Sequence, residues 1–111
     1  MQELTGYFRA MADRKRLLIV RYLAQHEEVP VTQLGAKLRM SQPLISWHLR
    51  MLRRARIVKT RRVGRQVLCS LDRNTLRTSE ERLDRILGSK EPASEFDADE
   101  QALSREPAGH P

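Results

Sequence analysis

Cysteine and aromatic residues are scarce in this 111-residue chain. Its single cysteine, Cys69, excludes an intrachain disulfide, and aromatic residues make up only 5% of the sequence. A core with so few rings must be built mostly from Leu, Ile, Val and Met. The length is that of one domain with a short extension.

Long apolar runs are also missing. A helix that spans a membrane needs about 20 consecutive apolar residues, and no stretch of the sequence approaches that. The N-terminus lacks the apolar run of a secretory signal. We therefore expect a soluble, cytoplasmic protein with no membrane partner.

Acidic residues are absent from the middle of the chain. None lies between Val29 and Leu71. Surfaces usually mix the two signs of charge, whereas a block of one sign attracts polyanions. The pattern favours a nucleic acid as partner, and the alternative is a charge that serves only solubility. The basic residues of this block are Lys37, Arg39, Arg50, Arg53, Arg54, Arg56, Lys59, Arg61, Arg62 and Arg65.

The formal net charge of +7 is unevenly divided along the chain. Residues 1–89 hold 19 Lys and Arg against 8 Asp and Glu, whereas residues 90–111 hold 2 against 6. The C-terminal stretch is also rich in Pro and Ala and poor in aromatic residues. We predict a folded domain over residues 1–88 and an acidic, disordered tail over residues 89–111.

Apolar spacing predicts two helices at the start of the chain. The first has a single stripe at i, i+3, i+4 and i+7: Leu4, Tyr7, Phe8 and Met11. The second should begin after Asp13, which is a favourable N-cap. Its predicted buried face is Leu17, Val20, Leu23 and Ala24.

Two further short helices are predicted between Thr32 and Ala55, joined by a tight turn. Thr32 is expected to cap the first and Ser41 the second. Pro43 is tolerated in the first turn of the second helix because the N–H it lacks has no intrahelical acceptor. The pair forms a helix-turn-helix, and the buried stripe of its second helix is Ile45, Leu49 and Leu52.

The apolar period changes from helical to alternating after this pair. Residues 57–63 and 66–71 are predicted to be two strands around Gly64, a residue that can supply the positive φ of a hairpin turn. Alternation turns Cys69 toward the core of this hairpin, so we expect inert packing of its thiol. The hairpin carries several of the arginines.

A last helix is predicted over Thr75–Leu87, with Gly88 at its C-terminal stop. The order helix, helix, helix-turn-helix, basic hairpin, helix is that of a winged helix-turn-helix, so the predicted fold class is mainly α with a small β-hairpin. In such a domain the second helix of the pair enters the DNA major groove. The hairpin, or wing, lies on the adjacent backbone or minor groove.

The predicted DNA-binding surface is the outer face of the helix capped by Ser41, together with the wing. Gln42 is suited to a bidentate contact with a base edge, the alternative being a solvated residue. Trp47 is expected to contact a thymine methyl or a sugar edge, the alternative being packing on a neighbouring helix or the wing. For His48 we expect a phosphate contact or a structural hydrogen bond rather than catalysis. The predicted contacts are Ser41, Gln42, Pro43, Ser46, Trp47, His48, Arg50, Arg54, Arg62 and Arg65.

Not every arginine of this region is in that set. Arg61, Arg62 and Arg65 cannot all point the same way along a strand, so Arg62 and Arg65 are preferred as phosphate contacts. Arg53 is either a phosphate contact or simply solvated.

From Tyr7 to Leu71 the chain resembles the ArsR family of bacterial winged-helix repressors. The family's Ala-Asp-x-x-Arg-Leu pattern is met by residues 12–17 and its wing by Gly64-Arg65. Its recognition signature is met by Ser41, Gln42, Ile45, Ser46, His48 and Leu49. The resemblance implies a homodimer, held by the first and last helices, that binds an imperfect DNA palindrome. The implied interface residues are Leu4, Tyr7, Phe8, Met11, Leu76, Leu83 and Leu87. For the four residues on the first helix, the alternative is ordinary packing in the core of the domain.

The resemblance stops at the metal-sensing sites of the family. Pro30 and Thr32 stand at the positions of a Cys-x-Cys pair, and there is no His between Asp72 and Ser89. A metal site needs several converging donors, so neither a metal nor another cofactor is predicted. The sequence leaves open an unknown small-molecule or protein effector.

The function predicted from these features is sequence-specific binding of double-stranded DNA by a transcriptional regulator, with repression as the expected outcome. The alternative is a winged-helix module for protein–protein interaction with little specific DNA binding. An enzyme is not predicted, because no paired nucleophile and base, phosphate loop or metal cluster is present.

Overall fold

The computed structural model describes residues 1–88, so the predicted acidic tail lies outside the described residues. Residues 1–79 form one compact unit, and the last turns of the final helix belong to a second. The helices are α1 (Gln2–Met11), α2 (Arg14–Ala24), α3 (Val31–Leu38), α4 (Gln42–Arg54) and α5 (Arg73–Leu87). The strands are β1 (Val29–Pro30), β2 (Val58–Val63) and β3 (Gln66–Leu71).

Side-chain caps fix the starts of α2 and α4, as predicted. The Asp13 carboxylate accepts a hydrogen bond from the Arg16 N–H at 3.0 Å, and the Ser41 hydroxyl accepts one from the Leu44 N–H at 3.3 Å. The predicted cap of α3 is wrong. That helix begins at Val31, directly after Pro30. Thr32 is therefore already inside the helix, whereas an N-cap residue has non-helical backbone angles.

The predicted buried face of α2 is partly wrong. Ile19 and Leu23 are fully buried, whereas Leu17 is 51% exposed and Ala24 is also exposed. The reason lies one residue before Leu17, where Arg16 turns inward and leaves only 16% of its side chain accessible. A buried stripe through Arg16, Ile19 and Leu23 has helical spacing, and it turns Leu17 outward.

The wing hairpin, formed by β2 and β3, belongs to a three-stranded antiparallel sheet in the order β1-β3-β2. The predicted hairpin is confirmed: Val63 faces Gln66 across a two-residue turn in which Gly64 has φ +61°. β1 pairs Val29 with Cys69 on the other edge of β3. The wing is thereby attached to the segment that leads into α3.

The core is aliphatic, as the scarcity of aromatic residues predicts. Cys69 is fully buried within it and donates a hydrogen bond to the Val29 carbonyl at 3.3 Å. Burial raises the pKa of this thiol to about 11, which agrees with the inert packing expected of it. The other large side chains that are fully buried are Ile19, Leu23, Val29, Leu34, Ile45, Leu52 and Ile57.

The turn between α3 and α4 brings the two helices close together. Arg39 ends α3 in the left-handed conformation, with φ 56°, and the Met40 N–H donates to the Gly35 carbonyl at 2.9 Å. A Cβ atom on Gly35 would lie 3.3 Å from the Met40 carbonyl oxygen and 3.7 Å from Ile45. Gly35 therefore allows the close approach. The arrangement is a helix-turn-helix followed by a wing, as predicted.

The residues implied as a dimer interface are unequally exposed. Leu4 and Tyr7 are buried within the single chain, so little of their surface is free for a partner. Phe8 is 42% exposed, and Met11 is half-buried, as are Leu76 and Leu83. In the second unit, to which Leu83 also belongs, Leu87 is 71% exposed.

Candidate nucleic-acid interface

Helix α4 has one buried and one exposed side. Ile45, Leu49 and Leu52 are buried, as predicted. Trp47 is two residues beyond Ile45, about 200° around a helix of 3.6 residues per turn, and it is 50% exposed. The predicted contacts Pro43, Arg50 and Arg54 are exposed as well. The helix therefore holds itself on the domain with aliphatic side chains and presents a mixed basic and apolar face.

A groove of about 320 Å³ runs between α4 and the sheet. Gln42, Ser46 and Arg50 line it from the helix, and Arg65 lines it from the wing. None of its described lining residues is acidic. The structure thus brings predicted contacts from both elements to one surface. Arg53, which the sequence left as either a phosphate contact or a solvated residue, lines the same groove, and its spacing of i+7 from Ser46 agrees with a place on this face.

Arg61 is already engaged within the protein. Its Nε and Nη2 donate to the two carboxylate oxygens of Glu28 at 2.7 and 2.8 Å. The hydrogen bond from Arg61 lowers the pKa of Glu28, and the same contact raises the pKa of Arg61. Arg62 is the next residue on β2, so its side chain leaves the opposite face of the strand. This agrees with the expectation that the wing arginines diverge.

His48 is the predicted contact that the structure removes from the DNA-facing surface. Its side chain is only 5% exposed, and its Nδ1 lies 3.4 Å from Nη1 of Arg16. A guanidinium only donates hydrogen bonds, so Nδ1 is the acceptor in this contact. Of the two roles expected for His48, the structure supports the structural hydrogen bond. The spacing already contained this signal, because His48 is three residues from Ile45 and four from Leu52.

Arg16 connects three helices at this point. Its Nε donates to the Ala10 carbonyl near the end of α1 at 2.7 Å, and its Nη2 lies 4.0 Å from the Asp13 carboxylate. The backbone hydrogen bond from Arg16 lowers the pKa of Asp13. Burial lowers the pKa of His48, and the charge of Asp13 partly opposes that shift. The sequence prediction assigned Arg16 no role in positioning α4.

Comparisons with known proteins agree with this geometry. The family model described as "Bacterial regulatory protein, arsR family" matches residues 13–60, from the cap of α2 into β2. The "Transcriptional repressor SmtB homolog" of Synechocystis sp. is 42% identical over 73 residues, which are 66% of this chain and 54% of that protein. The crystal structure of NolR from Sinorhizobium fredii is 34% identical with a TM-score of 0.62, covering 78% of this chain and 86% of that one. The chain belongs to the ArsR family.

The fold of this ArsR-family chain is also that of a domain from Mycobacterium bovis. The solution structure described as a homodimeric winged helix-turn-helix DNA-binding domain has a TM-score of 0.65 at 23% identity, covering 78% of this chain and 82% of that one. The chain spans about half the length of the SmtB homolog. The family model and this relative are both described as regulators of transcription or as regulatory proteins, which agrees with the prediction of a regulator rather than an enzyme.

Pro30 and Thr32, which stand where metal-sensing members of the ArsR family have a Cys-x-Cys pair, lie at the start of α3. Pro30 ends β1, and Thr32 is in the first turn of α3. Within residues 1–88, no three side chains of His, Cys, Asp or Glu come together in a way that could hold a metal ion. Over the same residues, no helix is both long and apolar enough to cross a membrane.

Proposed function

We propose that this ArsR-family chain binds double-stranded DNA as a homodimeric transcriptional repressor. The observation that carries the proposal is the exposed face shared by α4 and the wing. It has Gln42, Ser46 and Arg50 on the helix and Arg65 at the wing, around a groove whose described lining is free of acidic residues.

Helix α4 acts as the recognition helix. The major groove of B-DNA is wide enough to admit one α-helix, and α4 buries only the side opposite Trp47. Gln42 and Arg50 form hydrogen bonds with base edges, with Ser46 between them. The free N–H groups at the start of the helix, next to Ser41, face a phosphate.

The wing supplies phosphate contacts that depend little on sequence. Arg62 and Arg65 are exposed at or next to the hairpin turn, and they neutralise phosphates beside the groove that α4 occupies. Arg61 takes no part, because its guanidinium is bound to Glu28. Each phosphate contact releases counterions and makes the affinity depend on salt.

A homodimer places two such surfaces on a palindrome, with half-sites about one turn of DNA apart. Exposed Phe8 on α1 and Leu87 on α5 support a dimer, because each leaves a large apolar side chain in solvent. The name of the Synechocystis relative supports repression. The repressor acts by occupying a promoter and excluding polymerase. Its signal is not a metal at the usual family sites: it is a small molecule, a protein partner, or the concentration of the repressor itself.

A mobility-shift titration of the full chain tests this function. The duplex is the DNA upstream of its own gene, measured at two salt concentrations against a scrambled duplex of the same composition. For a protein that makes six to ten phosphate contacts, raising the salt concentration from 50 to 200 mM lowers the affinity by about 10³ to 10⁵. Equal binding of both duplexes, or no binding at either salt, would favour the protein–protein interaction module instead.

A further inference from the structure

The exposed face of α4 carries apolar residues in its N-terminal half. Pro43 and Trp47 are four residues apart and so project from the same side of the helix. Both are exposed, Trp47 by half of its surface. Ile45 and Leu49 hold the opposite side of the helix on the domain. The ring of Trp47 therefore points away from the core that these residues fill.

Trp47 also takes no part in the ring contacts found in residues 1–88. Those contacts join Tyr7 to Phe8 and Tyr22 to His26. Arg50 and Arg54 follow Trp47 by one and two turns and are exposed on the same side. A large apolar side chain thus lies in the middle of a basic surface.

The major groove contains one apolar group on the edges of unmodified base pairs, which is the C5 methyl of thymine. Apolar side chains recognise it by direct contact. We propose that Trp47, with Pro43 beside it, recognises the 5-methyl group of a pyrimidine, supplied by thymine in the operator. This inference rests on the proposed function, because it requires α4 to enter the major groove.

The size of the effect follows from the area that a methyl group removes from water. Burial of one such carbon corresponds to about fourfold in affinity. Replacing thymine by uracil deletes that methyl and leaves the hydrogen-bonding edge of the base unchanged. The expected loss is about fourfold for each methyl that Trp47 contacts.

The experiment uses the full 111-residue chain and a duplex that this chain enriches from random sequence. The duplex is synthesised with either dTTP or dUTP, and the dissociation constants are measured by fluorescence anisotropy at one salt concentration and pH. The wild-type protein is expected to bind the uracil duplex at least about fourfold more weakly. Trp47→Ala is expected to bind the thymine duplex more weakly and to distinguish the two duplexes hardly at all.

Two variants keep this result interpretable. Leu17→Ala shortens an apolar side chain of nearly equal exposure, 51% against 50%, on α2 instead of α4, and it should retain the wild-type ratio. Trp47→Leu keeps an apolar contact and should retain part of the ratio. Thermal unfolding of each variant identifies any loss of folding. Equal wild-type affinity for both duplexes, or an unchanged ratio in Trp47→Ala, would overturn the inference.

A third duplex distinguishes thymine from 5-methylcytosine as the source of the methyl group. Replacing cytosine by 5-methylcytosine should not tighten binding. Tighter binding to that duplex, with no loss from uracil, would overturn the assignment to thymine. If the chain enriches no duplex at all, the proposed function fails, whereas enrichment with equal thymine and uracil affinities refutes only the methyl contact.

Discussion

Arg61 and Glu28 are joined by two hydrogen bonds, from Nε and Nη2 of the guanidinium to the two carboxylate oxygens at 2.7 and 2.8 Å. The register explains the pairing. Arg61 faces Leu68 on β3, which in turn faces Pro30 on β1. Glu28, two residues before Pro30, therefore shares a face of the sheet with Arg61. This contact separates Arg61 from the neighbouring arginines of the wing.

The first prediction compares two adjacent arginines of β2. Arg62→Ala should weaken binding to all duplexes and reduce the slope of log affinity against log salt by about 0.9 for each phosphate that the side chain neutralises in the wild type. The double variant Arg61→Ala/Glu28→Ala is the control and should leave that slope unchanged, because it removes a pair whose charges already cancel. Titrations at four or more salt concentrations measure the slope. A larger change in the double variant than in Arg62→Ala would reverse the assignment.

The faces of α4 could be predicted from the sequence because they depend on local geometry. A period of 3.6 residues separates Ile45 and Leu49 from Trp47 whatever the rest of the chain does. The hairpin could be predicted from the sequence for the same reason, since the alternation of apolar residues and Gly64 are local signals. The same rules failed at Leu17, where the inward turn of Arg16 decided which side of α2 is buried.

The contacts that join distant parts of the chain could not be predicted in this way. Arg16 and His48 are 32 residues apart and Glu28 and Arg61 are 33 residues apart. Each pair is brought together by tertiary packing, which apolar spacing does not describe. His48 thus belongs to the recognition signature of the family and lies on α4, yet its side chain faces the domain.

The second prediction concerns acid stability. Burial lowers the pKa of His48 below its usual 6.5, so the unfolded chain takes up this proton at a higher pH than the folded protein does. The free energy of unfolding should therefore fall as the pH drops below about 6.5. The effect should stop once the pH passes the native pKa. The Asp13 pKa is also lowered, from 3.8, so its contribution is lost only in stronger acid.

His48→Gln tests this without removing the hydrogen-bond acceptor that faces Arg16. Urea unfolding from pH 7.5 to 5 should show a smaller loss of stability in His48→Gln than in the wild type. His26→Gln is the control, because His26 is exposed just after α2 and contacts the nearby Tyr22, by a hydrogen bond to the carbonyl and by ring stacking. It should retain the wild-type pH dependence. An identical pH dependence in the wild type and His48→Gln would contradict the role of His48.

The third prediction concerns the thiol of Cys69. Burial raises its pKa from 9.0 to about 11, and only the thiolate reacts readily. The thiolate fraction at pH 8 should therefore be about 100-fold lower than that of an unshifted thiol. Alkylation by iodoacetamide should be slower by at least that factor in the native protein than in 6 M guanidinium chloride. Equal rates in the two states would place the thiol in contact with solvent.

The last prediction tests the dimer through α1. Phe8 leaves 42% of its surface exposed although its ring meets that of Tyr7 edge to face, with the centroids 5.2 Å apart. In Phe8→Glu, a partner subunit that covers this surface would meet a buried charge in place of the apolar ring. The dimer dissociation constant should rise by at least about tenfold, as measured by sedimentation equilibrium. Leu17→Glu introduces the same charge at a position 51% exposed on α2 and should leave the dimer intact. Dissociation by Leu17→Glu, with Phe8→Glu still dimeric, would move the interface from α1 to α2.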